Sequence, residues 1–246
     1  MTRIVQVKLI GGFGNQLHEY AAARKYAELV GATLEVPPDS RWIPAIFGTA
    51  DPVWSRDLPE VNDGAAGHGP TIEWGQVNVR MTGYFQTQEW VGRLSRRELR
   101  QWFAVRSDLT SHAAVPAGPY VAAHLRRGDY VNHPLYCTVS ERSYARAADA
   151  LGLHIDEWAT DNRPRPGPPG CEFLTDWLML TRASTLFRAN STFSWWAAAL
   201  GDGDAYAPLV EDRVGEHDVE FKRGNWPRCA DVTRVGVRVD DLHLPD

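Results

Sequence analysis

The segment IVQVKLIGGFGNQL, residues 4–17, predicts how the chain begins to fold. Its first seven residues are rich in β-branched side chains and stop at a pair of glycines, as a strand does before a tight turn. After Gly14, apolar residues recur at helical spacing as far as Val30, and a glycine follows. Residues 34–36, closed by Pro37-Pro38, are predicted to form a second short strand. The pattern predicts a βαβ unit with its Gly-rich turn at the carboxyl end of a parallel strand.

The same alternation of strands and helices starts again in the second half of the chain. Between the halves, residues 107–119 are small, polar and interrupted by Pro and Gly, as in a linker. Further helices are predicted at residues 90–103 and 138–151, and a strand at 120–125. The sequence therefore predicts two α/β domains, residues 1–108 and 119–246, with a cleft between them.

Composition excludes several kinds of partner and site. The 246 residues carry a net charge of −5 without a basic domain, which excludes a typical nucleic-acid-binding protein. No apolar run approaches the ~20 residues that span a bilayer, so no transmembrane segment is expected. The N-terminus lacks the features of a signal peptide, which predicts a cytoplasmic protein. The cysteines lack metal-binding spacing and predict reduced thiols: Cys137, Cys171 and Cys229.

The Gly-rich turn is the first candidate site. Its N–H groups and the helix start behind it favour an anion. Gly12 and Gly14 match the first two glycines of a dinucleotide-binding motif, but the bulky Leu17 occupies the third position. A ligand-binding loop and a plain tight turn fit the segment equally well, and Asn15 is a candidate helix N-cap.

The stretch VAAHLRRGDYV, residues 121–131, is the second candidate. Arg126 and Arg127 fall just past the carboxyl end of the predicted strand, where open α/β sheets bind ligands. Arginine is suited to bidentate phosphate binding. The alternative is that Asp129 pairs with one of the arginines in a surface turn.

Two further segments carry groups suited to a nucleotide. Hydroxyls surround a predicted helix start in ANSTFSWWAAALG, residues 189–201, and could bind an anion or only cap a helix with core tryptophans. Asp161 follows a possible strand, and its carboxylate could accept from guanine N–H groups or start a turn. The sequence Asp202-Gly203-Asp204 has the spacing of a metal-binding D-x-D but also that of an ordinary turn.

Five segments of the chain form a recognisable set. They are GGFGNQL…YAAARKYAE from Gly11, TGYFQTQEW from Thr82, HLRRGDY from His124, SYARAADAL from Ser143 and ANSTFSWWAAALG from Ala189. In this order they resemble the bacterial α-1,2-fucosyltransferase family and the wider GDP-fucose-dependent superfamily. The combination is far more specific than any single motif.

The resemblance implies a GT-B-like α/β fold of two Rossmann-type domains, with an N-terminal acceptor-side domain and a C-terminal domain that binds the nucleotide sugar. It implies an inverting, metal-independent transfer of L-fucose from GDP-β-L-fucose to a hydroxyl of a glycan or small molecule. No cofactor is implied, because GDP-fucose or a related GDP-sugar is a donor substrate.

The resemblance also implies residue roles. Arg126 would hold the β-phosphate and stabilise the departing GDP, Arg127 and His124 would support that pocket, and Asp129 would orient the arginines. Asp161 would face the guanine, and Asn15 would lie near the reacting centre. The remaining donor-binding residues implied by the motifs are Gly12, Gly14, Ser191, Thr192, Phe193 and Ser194.

The chain departs from the family pattern at three places. His18 and Glu19 replace apolar and amide residues, the segment before TGYFQ is short, and a Pro-rich loop covers residues 163–170. His18 or Glu19 is a candidate general base, or a solvated residue of the first helical turn. The departures leave open another GDP-sugar with a peptide or natural-product acceptor, and a nucleotide-binding protein without transferase activity. An NAD-dependent enzyme is disfavoured by Leu17.

Overall fold

A computed structural model of the protein describes residues 2–64, 71–210 and 213–224. The chain divides into two compact units, which meet in sequence between Arg106 and Ser107. Cys229 and the rest of the predicted second domain beyond residue 224 lie outside the described residues. Within the described ranges, no helix combines the length and the apolar character that crossing a membrane requires.

The first unit contains the predicted βαβ arrangement. Its described strands are β1 (Ile4–Val7), β2 (Thr33–Glu35), β3 (Glu60–Asn62) and β4 (Val79–Thr82). Its described helices are α1 (Phe13–Val30), α2 (Trp42–Phe47), α3 (Gln88–Val91) and α4 (Arg96–Trp102). The strands form a parallel sheet in the order β2-β1-β4-β3. The residues that follow β1, β4 and β3 therefore lie at the same side of the sheet, where the strands have their carboxyl ends.

Two details of the helices differ from the sequence prediction. Gly12, not Asn15, is the N-cap of α1, and Asn15 lies inside the helix. The helix predicted over residues 90–103 is two helices, because Ser95 starts α4 with a capping box. The Ser95 side chain accepts from the N–H of Glu98, while the Glu98 carboxylate accepts from the N–H of Ser95. The predicted end of α1 is confirmed, since Gly31 adopts the left-handed conformation with φ 63°.

The second unit is built on a five-stranded sheet. The described strands of the whole unit, which include a separate pair, are β5 (Val121–Leu125), β6 (Cys137–Val139), β7 (Glu157–Thr160), β8 (Thr185–Phe187), β9 (Asp204–Pro208), β10 (Gly215–His217) and β11 (Phe221–Gly224). Its described helices are α5 (Ser107–His112), α6 (Glu141–Ala150), α7 (Leu174–Arg182) and α8 (Thr192–Leu200). The order in the large sheet is β11-β9-β8-β5-β7, parallel except for β11, and β6 pairs with β10 separately.

The chain path creates a topological switch beside β5. From β5 the chain runs through α6 to β7 on one side, then crosses through α7 to β8 on the other side. In such sheets the connections leave an open crevice at the carboxyl ends of the strands, where ligands bind. The predicted linker begins with helix α5, and the predicted strand at 120–125 is β5.

The packing of α8 decides one alternative. Trp195 and Trp196 are fully buried, with their rings 5.0 Å apart in an edge-on arrangement. They are therefore core residues and not a surface for stacking on a ligand. The buried rings anchor the helix in the core of the second unit.

Candidate functional site

The carboxyl ends of three neighbouring strands bring most of the predicted donor-site residues together. Leu125 at the end of β5 is paired with Thr160 at the end of β7, while Ala123 is paired with Phe187 at the end of β8. Arg126, Asp161 and the segment leading into α8 follow these ends directly. Because the strands are parallel, their side chains meet at one edge of the sheet.

Arg126 is held by two carboxylates. Its Nη1 lies 3.2 Å from Oδ2 of Asp161, and its Nη2 donates to Oδ1 of Asp129. The side chain keeps 27% of its surface exposed, so the guanidinium can be reached by a ligand. The predicted surface pair with Asp129 is thus present, inside a short 3-10 turn at Gly128–Tyr130. The second carboxylate, which comes from the neighbouring strand, distinguishes Arg126 from an ordinary surface arginine.

Arg127 points elsewhere. Its backbone N–H donates to Oδ1 of Asp161 at 2.9 Å, but its guanidinium binds the carbonyl of Val139 at 3.2 Å and Glu216 at 3.3 Å. Only 13% of its side chain is exposed. Arg127 therefore fixes the loop against β6 and β10, and the supporting role implied for it in the donor pocket stays a prediction.

Asp161 binds both arginines of the loop. One oxygen contacts the guanidinium of Arg126 and the other accepts the N–H of Arg127. Gly128 makes this contact possible, because a Cβ at that position would meet Oδ2 of Asp161 at 2.2 Å. A φ of +28° at Gly128 also favours glycine. The guanine-facing role of Asp161 stays a prediction.

His124 lies beneath the site as a neutral ring. It is 4% exposed, and within the described part of the chain its Nδ1 is buried without a hydrogen-bond partner. Burial, and secondly the charge of Arg126, lowers the pKa of His124 to about 3. Its ring lies 5.4 Å from that of Phe193 in the first turn of α8. His124 thus supports this turn without adding charge at neutral pH.

The first turn of α8 carries four of the predicted donor-binding residues. Ser191 is the N-cap, and its side chain accepts from the N–H of Phe193 at 3.3 Å. Ser194 donates back to the carbonyl of Ala189 at 3.3 Å, and Thr192 is the first helical residue. No acidic residue lies in this turn, so the positive end of the helix dipole is not neutralised locally. Helix capping does not by itself exclude anion binding, because a cap satisfies only part of the first four N–H groups of a helix.

The remaining predicted residues belong to the first unit. Gly12 is exposed and extended, and Gly14 is buried inside α1. The side-chain oxygen of Asn15 accepts from the amide of Gln86 at 3.1 Å, which joins α1 to the loop after β4. The structure thus keeps these three residues at the carboxyl edge of the first sheet, apart in sequence and in unit from the other nine.

His18 and Glu19 are not solvated residues of a helical turn, and that interpretation is wrong. Both are buried, at 1% and 0% exposure. Burial lowers the pKa of His18 to about 3 and raises the pKa of Glu19 to about 9, so both are neutral near pH 7. Oε2 of Glu19 accepts from the N–H of Ile10 at 2.8 Å and steadies the Gly-rich turn. The surrounding sheet and loops cover α1 on nearly every side, which a helical period cannot reveal.

The D-x-D sequence lies at the opposite edge of the second sheet. Asp204 begins β9, and both of its carboxylate oxygens accept from Arg223 at 2.7 and 2.8 Å. Among the described residues, no group of three His, Cys, Asp or Glu side chains has the arrangement of a metal site. The position of Asp202 and Asp204 favours the turn interpretation.

Sequence reasoning missed Tyr130 and Asn190. The guanidinium of Arg126 lies 5.1 Å from the ring centre of Tyr130, whose hydroxyl donates to the carbonyl of Asn190 at 3.2 Å. Tyr130 stands in the quoted segment around Arg126, and Asn190 stands directly before Ser191. Their proximity to predicted residues was the only sequence signal that could have found them.

Comparison with known proteins gives a consistent set of relatives. No family model matches the chain. The curated galactoside alpha-(1,2)-fucosyltransferase 2 of Bos taurus is 24% identical in an alignment 248 positions long. The alignment covers 80% of this chain and 69% of that protein.

Solved fucosyltransferases share the fold. The alpha-1,6-fucosyltransferase NodZ, soaked with GDP-fucose, matches with a TM-score of 0.60 at 18% identity, covering 92% of this chain and 100% of that chain. Arabidopsis thaliana FUT1 in complex with GDP matches with a TM-score of 0.54 at 10% identity, covering 92% and 76%. The predicted α/β class and GT-B-like fold are therefore confirmed. In sequence and in fold the chain is similar to the GDP-fucose-dependent fucosyltransferase superfamily, and the resemblance predicted from its motifs is confirmed.

Proposed function

We propose that the protein is a glycosyltransferase that transfers L-fucose from GDP-β-L-fucose to a hydroxyl of a glycan or small-molecule acceptor. One observation carries the proposal. Arg126 follows strand β5, pairs with Asp161 after the neighbouring strand β7, and is linked through Tyr130 to the segment that starts α8 after β8. An exposed arginine and a helix N-terminus at one edge of a parallel sheet suit a diphosphate. The relatives named above, including NodZ with GDP-fucose, support the identity of that diphosphate.

The chemistry follows from the charges that develop. The acceptor oxygen forms a bond to the anomeric carbon, the bond from that carbon to the β-phosphate oxygen breaks, and its electron pair leaves with GDP. The acceptor proton passes to a base or to water. Arg126 and the N–H groups of α8 stabilise the departing diphosphate, which is the charge a divalent metal would otherwise neutralise. The proposal therefore includes metal-independent transfer. Attack opposite the leaving group gives inversion.

The proposal assigns the other residues by their contacts. Asp129 and Asp161 orient Arg126, Arg127 anchors the loop, and neutral His124 supports the turn of α8. Donor binding at that turn falls to the residues of its cap and first positions: Ser191, Thr192, Phe193 and Ser194.

The roles in the first unit rest on motif resemblance alone. They are donor binding for Gly12 and Gly14 and a catalytic role for Asn15. The name of the Bos taurus relative makes a galactoside the first acceptor to be tried.

A different GDP-sugar is the second candidate. Arg126 and the first turn of α8 would bind the diphosphate, and both oxygens of Asp161 already contact Arg126 and Arg127. Neither feature selects the sugar. Transfer of another GDP-linked sugar to a peptide or natural-product scaffold, or nucleotide binding without transfer, would use the same contacts.

A donor panel tests the proposal. We expect GDP and GDP-fucose to stabilise the protein against heat, with about 2.7 kcal/mol at 100 times the Kd. GDP-mannose should stabilise it less, and UDP and NAD should not. Slow hydrolysis of GDP-fucose, followed by NMR of the released sugar, should show an inverted anomer and persist in EDTA. Stabilisation by NAD but not GDP would overturn the proposal, and binding without turnover would favour the non-catalytic alternative.

A further inference from the structure

A stack of aromatic rings begins at Arg126. The ring of Tyr130, 5.1 Å from the Arg126 guanidinium carbon, is stacked on Tyr136 with centroids 4.4 Å apart and planes at 28°. Tyr136 is stacked on His133 in turn, at 3.9 Å and 13°. Tyr130 is 6% exposed. Arg126 is thus one end of a stack whose rings come from the loop 130–136, and His133 is the other end.

Tyr130 is also bonded to the start of α8. Its hydroxyl donates to the carbonyl of Asn190 at 3.2 Å, and the Asn190 amide donates to the carbonyl of Cys137 at 3.1 Å. Its own N–H donates to the carbonyl of Arg127 at 2.7 Å. Asn190 immediately precedes the helix cap Ser191. One side chain therefore contacts both halves of the proposed diphosphate site, the arginine and the helix N-terminus.

A bound phosphate would affect the contacts of Arg126 with the two carboxylates and with Tyr130 differently. Asp129 and Asp161 occupy its N–H groups, which are the groups a phosphate needs for bidentate binding. A phosphate must therefore share or displace them. Tyr130 contacts the guanidinium through its ring, with the guanidinium carbon 5.1 Å from the ring centroid, and occupies none of its N–H groups. The stacking contact is the one that can persist when the donor is bound.

We propose that Tyr130 is a positioning residue that holds the guanidinium of Arg126 in the plane required by the donor diphosphate and keeps it in register with the first turn of α8. This inference rests on the proposed function. It assigns Tyr130 no contact with the substrate. Its effect on donor binding and turnover passes through Arg126 and must vanish when Arg126 is absent.

The test is a double-mutant cycle read by GDP binding in calorimetry. In the wild-type background, Tyr130→Leu should weaken GDP binding and lower the kcat of GDP-fucose hydrolysis by about 3- to 30-fold each. Tyr130→Phe keeps the ring and should restore most of the loss. In an Arg126→Met background, Tyr130→Leu should change GDP affinity by less than about twofold, since the contact it removes is already gone. An equal loss in both backgrounds would overturn the proposal.

A matched control separates stacking on Arg126 from ring loss in general. Tyr206 is stacked on Phe187 in the same unit, with centroids 5.1 Å apart, and no contact between it and Arg126 is recorded among the described residues. Tyr206→Leu should lower thermal stability with GDP affinity unchanged. If it weakens GDP binding as much as Tyr130→Leu does, the specific role of Tyr130 fails.

NMR of the ligand-free wild-type protein provides a test that needs neither a folded Tyr130→Leu variant nor an active enzyme. Side-chain protons of Arg126, assigned by comparison with Arg126→Met, should be shifted upfield by the ring, and should remain so after GDP is added. Absence of the shift overturns the proposal. If the shift is present but GDP does not bind, the proposed function fails and the contact stands. If GDP binds equally to wild type and Tyr130→Leu, the function stands and the inference fails.

Discussion

The Nη1 atom of Arg126 lies 3.2 Å from Oδ2 of Asp161, and this contact joins the ends of two adjacent parallel strands. The two residues are 35 positions apart in sequence and come from opposite ends of a βαβ crossover. Their pairing holds the guanidinium of Arg126 at the carboxyl ends of β5 and β7, where 27% of its side chain is exposed. The following predictions depend on that placement and on the surroundings of the Gly-rich turn.

Replacing Arg126 by Ala should lower kcat for GDP-fucose by roughly 10²–10³-fold, as the loss of one preorganised donor to a developing oxyanion does. Arg223→Ala is the matched control, since it removes an exposed arginine paired with Asp204 at the other edge of the sheet. It should leave turnover unchanged. The measurement is steady-state release of GDP. Near-normal turnover by Arg126→Ala would contradict the role of this residue.

Gly128→Ala should damage both stability and donor binding. Its φ of +28° is costly for alanine, and the new Cβ would meet Oδ2 of Asp161 at 2.2 Å. Gly152→Ala provides the control, because Gly152 has φ +65° but nothing within 4 Å of its Cβ. The control should cost about 1 kcal/mol from backbone strain alone. Denaturant unfolding and GDP titration of both variants separate backbone strain from the clash with Asp161. If both variants lose the same stability and the same GDP affinity, the side chain of Asp161 moves away and the prediction is wrong.

Glu19 should make the protein less stable as pH rises. Burial raises the pKa of Glu19 to about 9, so the folded protein keeps a proton that the unfolded chain releases above its ordinary pKa near 4.5. Between pH 7 and 8.5 the free energy of unfolding should therefore fall by at most about 1.4 kcal/mol per pH unit.

Glu19→Gln should abolish this component of the slope, because the amide does not titrate. Glu28→Gln, on the exposed face of the same helix and paired with Arg24 at 3.7 Å, should leave the slope intact. Urea unfolding of wild type, Glu19→Gln and Glu28→Gln at four pH values measures how the free energy of unfolding changes with pH. Parallel slopes for wild type and Glu19→Gln would show that Glu19 ionises normally in the folded protein.

Asn15→Ala should lower transfer more than donor binding. The side chain lies in the first unit, whereas the contacts of Arg126 all lie in the second, so GDP affinity should stay within about twofold of wild type. Loss of one positioning amide at a reacting centre is expected to reduce kcat by about 10²-fold. Gln86→Ala removes only the bond donated to Asn15 and should have a smaller effect. A pure loss of GDP affinity would contradict the assignment.

Sequence patterns predicted the parts of the fold that depend on local chemistry. The βαβ start, the cap at Gly31 and the strand before Arg126 all follow from periodicity and turn residues. The burial of Glu19 could not be predicted in this way, since the helical period does not reveal what the rest of the unit packs against α1.

The sequence predicted which residues belong to the candidate site better than it predicted which of them contact each other. Parallel strand ends meet at one edge, so the sequence could indicate that Arg126 and Asp161 lie near each other. It could not indicate strand order, which decides that both oxygens of Asp161 serve the arginine loop. The stack on Tyr130 depends on a short turn whose sequence has no periodic pattern.

The opposite directions of Arg126 and Arg127 have a kinetic consequence. One guanidinium is committed to Val139 and Glu216, and the other is paired with Asp129 and Asp161. The carboxyl ends of β5 and β7 therefore present carboxylates as well as cations to an approaching diphosphate, and long-range attraction is weak. Association with GDP should be slower than in pockets lined by unpaired arginines, and its rate should depend little on ionic strength in stopped-flow experiments.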